Sequence, residues 1–197
     1  MVYYYKDLAF DTHPMVYEPK EDSELLAGNL PAENGDYVLD MGCGIGIQAM
    51  VASRKARRVL AVDINPQAID AARRNAEKNK AENIEYRISN LFENIKEEEK
   101  FDLIIFNPPY LPSEEKDPQA QAWAGGTMGR EIIDKFIVDA PKHLTEKGRI
   151  QLLISSLNDV DDVLKTMRER NLEAIIIASE KLWFEELYVI LARYKKI

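Results

Sequence analysis

Cysteine is almost missing from this chain. Cys43 is the single thiol, so no internal disulfide can form, and a reducing compartment fits. Histidine is nearly as scarce. His13 and His143 stand isolated, each read as structural or surface, and no metal site is expected. No apolar run approaches the roughly 18 residues that a membrane span needs. The opening stretch MVYYYKDLAFDTHPMVYEPKEDSELL contains no leader-like apolar segment, so the chain is read as cytoplasmic, with no membrane partner. Positive charge is also short: Lys and Arg number 26 against 34 Asp and Glu, a formal net charge of −8 with a pI near 5.0. That balance argues against a broad electrostatic grip on phosphate, although a local contact with nucleic acid stays open.

What is present is an ordinary globular balance, with 46% hydrophobic and 30% charged residues over 197 positions. No repeat and no internal boundary is visible. One domain over 1–197 is expected, its first 30 residues covering the cofactor and substrate. Residues 1–22 have no clear period but are rich in tyrosine. A helix follows, with Asp22 or Ser23 as its cap and Leu25, Leu26 and Leu30 facing inward. Strands are expected at 37–40, 58–62, 84–89, 101–106 and 149–154, and a closing antiparallel pair at 173–179 and 186–194. Helices are expected from Ile47 to Arg54, after Asn65-Pro66, from Arg130 to Ala140, and around Val160 to Met167. This alternation predicts an α/β fold, a three-layer αβα sandwich on a mostly parallel seven-stranded sheet. The segment 111–129 carries Pro112, Pro118 and three glycines, and is expected to act as a substrate loop or lid.

The stretch Asn107-Pro108-Pro109-Tyr110 organises the functional reading. It follows the apolar strand Phe101–Phe106, at the carboxyl edge where open α/β sheets bind ligands. The prolines donate no N–H, so the carbonyls of Asn107 and Pro108 are free to face a ligand. An Asn oxygen beside such a carbonyl can accept both hydrogens of one planar –NH2 group. Asn107 and Pro108 are therefore expected to hold the amine, with Pro109 and Tyr110 completing the substrate contact and Tyr110 packing on its plane.

The first strand runs into Asp40-Met41-Gly42-Cys43-Gly44-Ile45-Gly46. A dinucleotide fingerprint needs its third glycine one residue later, so pyrophosphate binding is disfavoured. The glycines still allow close approach by a ligand. Asp40 is placed to pair with an ammonium group and Asp63 to take two ribose hydroxyls. A first acid at one strand end and a second about 20 residues on fit an amino-acid-bearing nucleoside, S-adenosylmethionine. Asn90 lies either beside the adenine or in a plain turn, and Ser23 either caps a helix or touches the cofactor.

Val38–Gly46 followed by Asn107–Tyr110 resembles the class I S-adenosylmethionine-dependent methyltransferases that modify planar amines. Val16-Tyr17-Glu18-Pro19-Lys20-Glu21-Asp22-Ser23 is similar to the opening signature of the short HemK-like branch of archaea and eukaryotes. The resemblance implies the strand order 3-2-1-4-5-7-6 and methylation of the glutamine in the Gly-Gly-Gln motif of class I translation release factors. It also implies a small zinc-binding activator that extends the sheet at the edge strand 84–89, where Tyr86 and Ile88 lie. The bacterial members have an extra N-terminal helical domain, for which this chain has no room. Carried over by position, Tyr17, Ser23, Asp40, Gly42, Gly44, Asp63, Ile64, Asn90, Leu91 and Asn107 form the cofactor set. The family usually has Asp where this chain has Asn90, which would weaken the adenine contact by about 1 kcal/mol. A nucleic-acid methyltransferase acting on adenine N6 or guanine N2 is the alternative reading. A non-catalytic cofactor-binding subunit is a second.

Overall fold

The computed structural model describes residues 1–111 and 129–195, so most of the expected substrate loop, 112–128, lies outside the described residues. The chain opens with a hairpin, β1 (Val2–Tyr5) and β2 (Leu8–Asp11), then α1 (Glu21–Gly28). A regular alternation follows: β3 (Tyr37–Met41), α2 (Ile47–Ser53), β4 (Arg58–Asp63), α3 (Pro66–Lys78), β5 (Ile84–Ile88) and β6 (Phe101–Phe106). The second half contains α4 (Glu131–Asp139), β7 (Leu144–Ser155), α5 (Val160–Glu169), β8 (Leu172–Lys181) and β9 (Glu186–Tyr194).

Strands β3 to β9 form a seven-stranded sheet ordered β5-β4-β3-β6-β7-β9-β8. In core-strand numbering this is the expected 3-2-1-4-5-7-6. The five strands from β5 to β7 are parallel, β9 is antiparallel to β7, and β8 is antiparallel to β9. Burial explains the sequence pattern: every residue of β3 is buried, and in β6 all but Asp102. Parallel strands covered on both faces read as continuous apolar runs. The chain winds outward from β3 to β5, then returns so that β6 pairs with β3. This reversal creates the crevice at the carboxyl ends of the two central strands.

Three local differences from the sequence reading have physical causes. The hairpin β1–β2 lies in a stretch with no legible period, because its stabilisation is remote. Asn75 and Asn79, one turn apart on α3, act as a substitute strand edge for β2. Asp11 N–H donates to Asn75 Oδ1 (2.8 Å) and Asn75 Nδ2 to Asp11 O (3.2 Å), while Ala9 and Asn79 exchange the same pair of bonds at 3.1 and 2.8 Å. Helix α1 begins at Glu21 after Lys20, with no side-chain cap, so Asp22 and Ser23 sit inside its first turn and serve another purpose. Strand β7 starts at Leu144, earlier than the expected 149, because the chain through Gly148 hugs the sheet: a Cβ there would lie 2.9 Å from Phe101 O. The expected cap at Asn65 is present, its side chain accepting from Gln67 N–H at 2.9 Å.

Both histidines are used structurally. His143 stacks on Phe92 with centroids 4.9 Å apart, and His13 Nδ1 accepts from Met15 N–H. At the β5 edge Tyr86 is half-buried under the Arg73 guanidinium, 5.5 Å from its ring centre, whereas Ile88 is 48% exposed. Among the described residues no helix is long and apolar enough to cross a membrane.

Candidate active site

Register brings the two key segments together. Met41 pairs with Phe106, so Gly42 and Asn107 leave the sheet side by side. A Cβ on Gly42 would lie 3.2 Å from the Phe106 ring and 4.0 Å from Asn107 O. Gly46, at φ 95°, lets α3 close in: a Cβ there would meet the Ala72 Cβ at 3.2 Å. A side chain at Gly46 would thus face both a clash and a left-handed backbone, the latter costing about 1–2 kcal/mol. Gly44, also left-handed, has nothing within 4 Å of its would-be Cβ and borders open space.

That space is a cavity of about 580 Å³, within the usual range for a small-molecule site. Its wall includes Tyr17, Ser23, Gly42, Gly44, Asp63, Ile64, Asn90, Leu91 and Asn107. These are nine of the ten residues expected to hold the cofactor. Met15, Val16, Tyr17 and Pro19 cover it from the N-terminal segment, tied down where Asn65 Nδ2 donates to Met15 O (2.8 Å).

Asp40, the tenth, is not among the residues that line the cavity. Its side chain is 1% exposed and accepts from Ala49 N–H at 2.9 Å, at the start of α2. Burial pushes its carboxyl up to about 8, against the pull of the Ala49 N–H. In this position the acid ties the start of α2 to the end of β3. Asp63 keeps its expected place. Gly44 N–H donates to one oxygen (3.0 Å) and Asn65 N–H to the other (2.9 Å), and burial raises its carboxyl. The Ile64 N–H is directed at it as well, so of the about four acceptor positions of a carboxylate about one stays free.

Two side-chain oxygens bordering the cavity, Gln48 Oε1 and Asn107 Oδ1, are buried without a hydrogen-bond partner. Orphaned acceptors of this kind cost about 1–3 kcal/mol each, a cost relieved by a ligand that donates N–H groups. Gln48 escaped the sequence reading. It sits on α2, Nε2 donating to Ser23 O at 3.0 Å, and its spacing matches a core position. Asn90 lines the cavity with Nδ2 donating to Glu93 Oε1 (2.8 Å), which turns its oxygen away from Glu93. Cys43 is buried, and burial raises its thiol well above the ordinary value, so it is no nucleophile.

Asn107 also borders a second cavity of about 370 Å³, walled by Tyr17, Asp22, Pro108, Pro109, Tyr110, Leu182 and Glu185 among others. The asparagine, with Tyr17 and Pro109, thus borders both chambers. Asp22, read from sequence only as a cap, fixes it. Asp22 is 3% exposed and accepts from Asn107 Nδ2 (3.0 Å), Tyr17 OH (3.1 Å) and Ser23 N–H (2.7 Å). With Nδ2 committed to a carboxylate, Oδ1 is the free end of the amide. Burial and the Asp22 charge raise the hydroxyls of Tyr17 and Tyr110, so both rings stay neutral. Asn158, fully buried, donates through Nδ2 to Tyr110 O (2.8 Å) and Gly129 O (3.1 Å), and so pins both ends of the segment 111–129. Among the described residues no group of three or more His, Cys, Asp or Glu is placed to hold a metal.

The model of the methyltransferase small domain family matches residues 7–180. A Methanocaldococcus jannaschii protein assigned as a protein N5-glutamine methyltransferase is 42% identical over 183 residues, 90% of this chain and 91% of its own length. Methyltransferase HEMK2 of Homo sapiens is 32% identical, over 89% of this chain and 88% of that protein. The release factor glutamine methyltransferase of Koribacter versatilis is 33% identical, but this chain spans only 62% of it. Among solved structures, a chain of the E. cuniculi Mtq2–Trm112 complex, responsible for methylation of the eRF1 translation termination factor, superposes with a TM-score of 0.74. It is 27% identical, covering 92% of this chain and 99% of that one. A methyltransferase from Pyrococcus furiosus shares the fold with a TM-score of 0.72 at 20% identity, over 96% of this chain and 91% of its own.

Proposed function

Because the chain belongs to the methyltransferase small domain family, we propose that it is an S-adenosylmethionine-dependent N-methyltransferase acting on the Gly-Gly-Gln glutamine of a class I translation release factor. The observation that carries the reading is Asn107: its amide stands between the two chambers with Nδ2 tied to Asp22 and Oδ1 unpartnered. Relatives on both sides of the comparison, the archaeal protein and the eRF1-methylating complex, support the choice of substrate.

In this reading Asp63 takes the ribose hydroxyls, the Asn90 oxygen the adenine amine, and Gln48 Oε1 the ammonium end, with Tyr17, Ser23, Ile64 and Leu91 closing the walls. Gly42 and Gly44 give the backbone close access. The bound cofactor supplies an electrophilic methyl group on a sulfonium. The chain's own contribution is to aim the nucleophile. An amide nitrogen is weak because its lone pair is spread into the carbonyl. Asn107 Oδ1 and the Pro108 carbonyl accept its two hydrogens and favour a pyramidal nitrogen, while Pro109 and Tyr110 hold its plane. With the cofactor bound, the S–CH3 bond would break as the N–CH3 bond forms, the sulfonium would leave as a thioether, and the surplus proton on nitrogen would pass to water. Alignment of this kind can lower a barrier by several kcal/mol, up to roughly 7–11 in favourable cases.

A small zinc-binding activator is proposed at the β5 edge, where Ile88 is 48% exposed; the Mtq2–Trm112 assembly supports a partner of this kind. The test is transfer of label from S-adenosylmethionine to a purified release factor, to the same factor with its motif glutamine replaced by glutamate, and to DNA and tRNA. Label in the first alone supports the reading. Label in a nucleic acid, or in the glutamate form, refutes it.

A further inference from the structure

We infer that the turn between β8 and β9, tipped by Trp183 and Phe184, is a docking surface for the folded body of the protein substrate. It deepens the reading above and rests on it: the glutamine motif enters the second chamber while the substrate's surface settles on these two rings.

Trp183 and Phe184 are 92% and 85% exposed. Adjacent aromatic side chains left bare on a surface mark an interaction site more often than an accident. The rings are ordered against each other, edge to face, with centroids 5.3 Å apart and an interplanar angle of 88°. The turn beneath them is closed by Leu182 N–H donating to Glu185 O (2.8 Å), and its base is held by Glu186 N–H donating to Ser156 Oγ (3.0 Å). This surface is therefore pre-organised, which limits the ordering cost of binding.

Its position names the occupant. Leu182 and Glu185, the residues flanking the tip, wall the same chamber as Asn107, Pro109 and Tyr110. Glu185 Oε2 is buried there without a hydrogen-bond partner and offers an acceptor to a donor on the incoming chain. Trp183 and Phe184 therefore stand directly between two residues of the chamber wall. Local charge selects the class of partner. Glu180, Lys181, Glu185 and Glu186 flank the two aromatics along the chain, three acids against one base. Base stacking on aromatics is normally backed by cations that take the phosphates, so this surround suits an apolar protein patch with a basic rim. The tip belongs to the end of the sheet opposite β5, so a partner at β5 leaves it free.

The test is the double substitution Trp183→Ser with Phe184→Ser, which changes exposed side chains only. Steady-state kinetics are measured on the intact release factor and on a short synthetic peptide containing Gly-Gly-Gln, with S-adenosylmethionine affinity by calorimetry. The expected result is a rise in KM for the intact factor of about tenfold or more, with kcat, peptide kinetics and cofactor affinity within about twofold of wild type. An unchanged KM for the intact factor overturns the docking surface and leaves the substrate reading standing. A parallel loss on peptide and intact factor also overturns it, since the tip would then act in the chamber itself. Wild-type protein that modifies neither substrate overturns the substrate reading, and the docking surface with it.

Discussion

Asn107 Nδ2 donates to Asp22 Oδ2 across 3.0 Å, a bond between residues 85 positions apart that decides which end of the amide is free. Asn107→Ala is expected to reduce kcat by about 10²–10³, the usual loss for one aimed polar group at a reacting centre. Cofactor affinity should stay within about threefold. Asp22→Asn preserves shape but lets the Asn107 amide sit either way round, so kcat should fall about tenfold or more. Turnover and calorimetry on the two variants check this. Near-normal turnover in Asn107→Ala would remove the asparagine from the mechanism.

The Asn90–Glu93 pair predicts a counter-intuitive affinity. Replacing Asn90 with Asp alone sets two carboxylates where Asn90 Nδ2 now donates to Glu93 at 2.8 Å. Asn90→Asp should gain nothing or bind S-adenosylmethionine more weakly. Asn90→Asp with Glu93→Gln restores a donor and adds charge toward the adenine amine, and should bind about fivefold tighter than wild type, about 1 kcal/mol. Titration calorimetry decides; tighter binding by the single variant would contradict the pairing.

Asp40 predicts a pH dependence. Its carboxyl is pushed up to about 8 from an ordinary 3.8, chiefly by burial. Between those values the folded chain keeps a proton that the unfolded chain has released, so stability falls as pH rises through that window. Asp40→Asn cannot lose the proton. Thermal unfolding should show wild type losing Tm relative to the variant from about pH 5 to 8, with cofactor affinity little changed. Parallel Tm curves would show that the group does not titrate as described, and a large loss of affinity would restore the ammonium role.

Asn158 predicts a coupled loss. Asn158→Ala leaves the carbonyls of Tyr110 and Gly129 and the N–H of Ser155 without their partner at a fully buried position. Urea unfolding should record a loss of about 3 kcal/mol, and kcat should fall about tenfold as Tyr110 loses its anchor. A loss under about 1 kcal/mol would mean water or a neighbour replaces the amide.

Much of this architecture was legible because each strand ends in a local signal. The run Phe101–Phe106 stops at Asn107-Pro108, Asn65-Pro66 opens α3, and glycines follow β3. The strand order followed from those signals and the resemblance they supported, and nine of the singled-out residues line one cavity. What stayed hidden depends on partners distant in sequence. The β1–β2 hairpin needs the amides of Asn75 and Asn79, some 64 to 70 positions away in the chain. Asp22 looked like a cap because its partner Asn107 lies 85 positions away. That Asp40 is buried and bonded to the Ala49 N–H, 9 positions on, is likewise not visible in the sequence. Gln48 carries no motif at all; its orphaned oxygen becomes visible only beside the cavity.

The central claim is that Asn107 presents a glutamine amide to a methyl donor. The most direct measurement is tandem mass spectrometry of a Gly-Gly-Gln release factor after incubation with S-adenosylmethionine and this protein, wild type and Asn107→Ala in parallel, each with and without the proposed partner protein. The account predicts one added methyl on the nitrogen of the motif glutamine with wild type and none with the variant. A motif glutamine left unmodified by wild type in every condition, or modified equally by the variant, would contradict it.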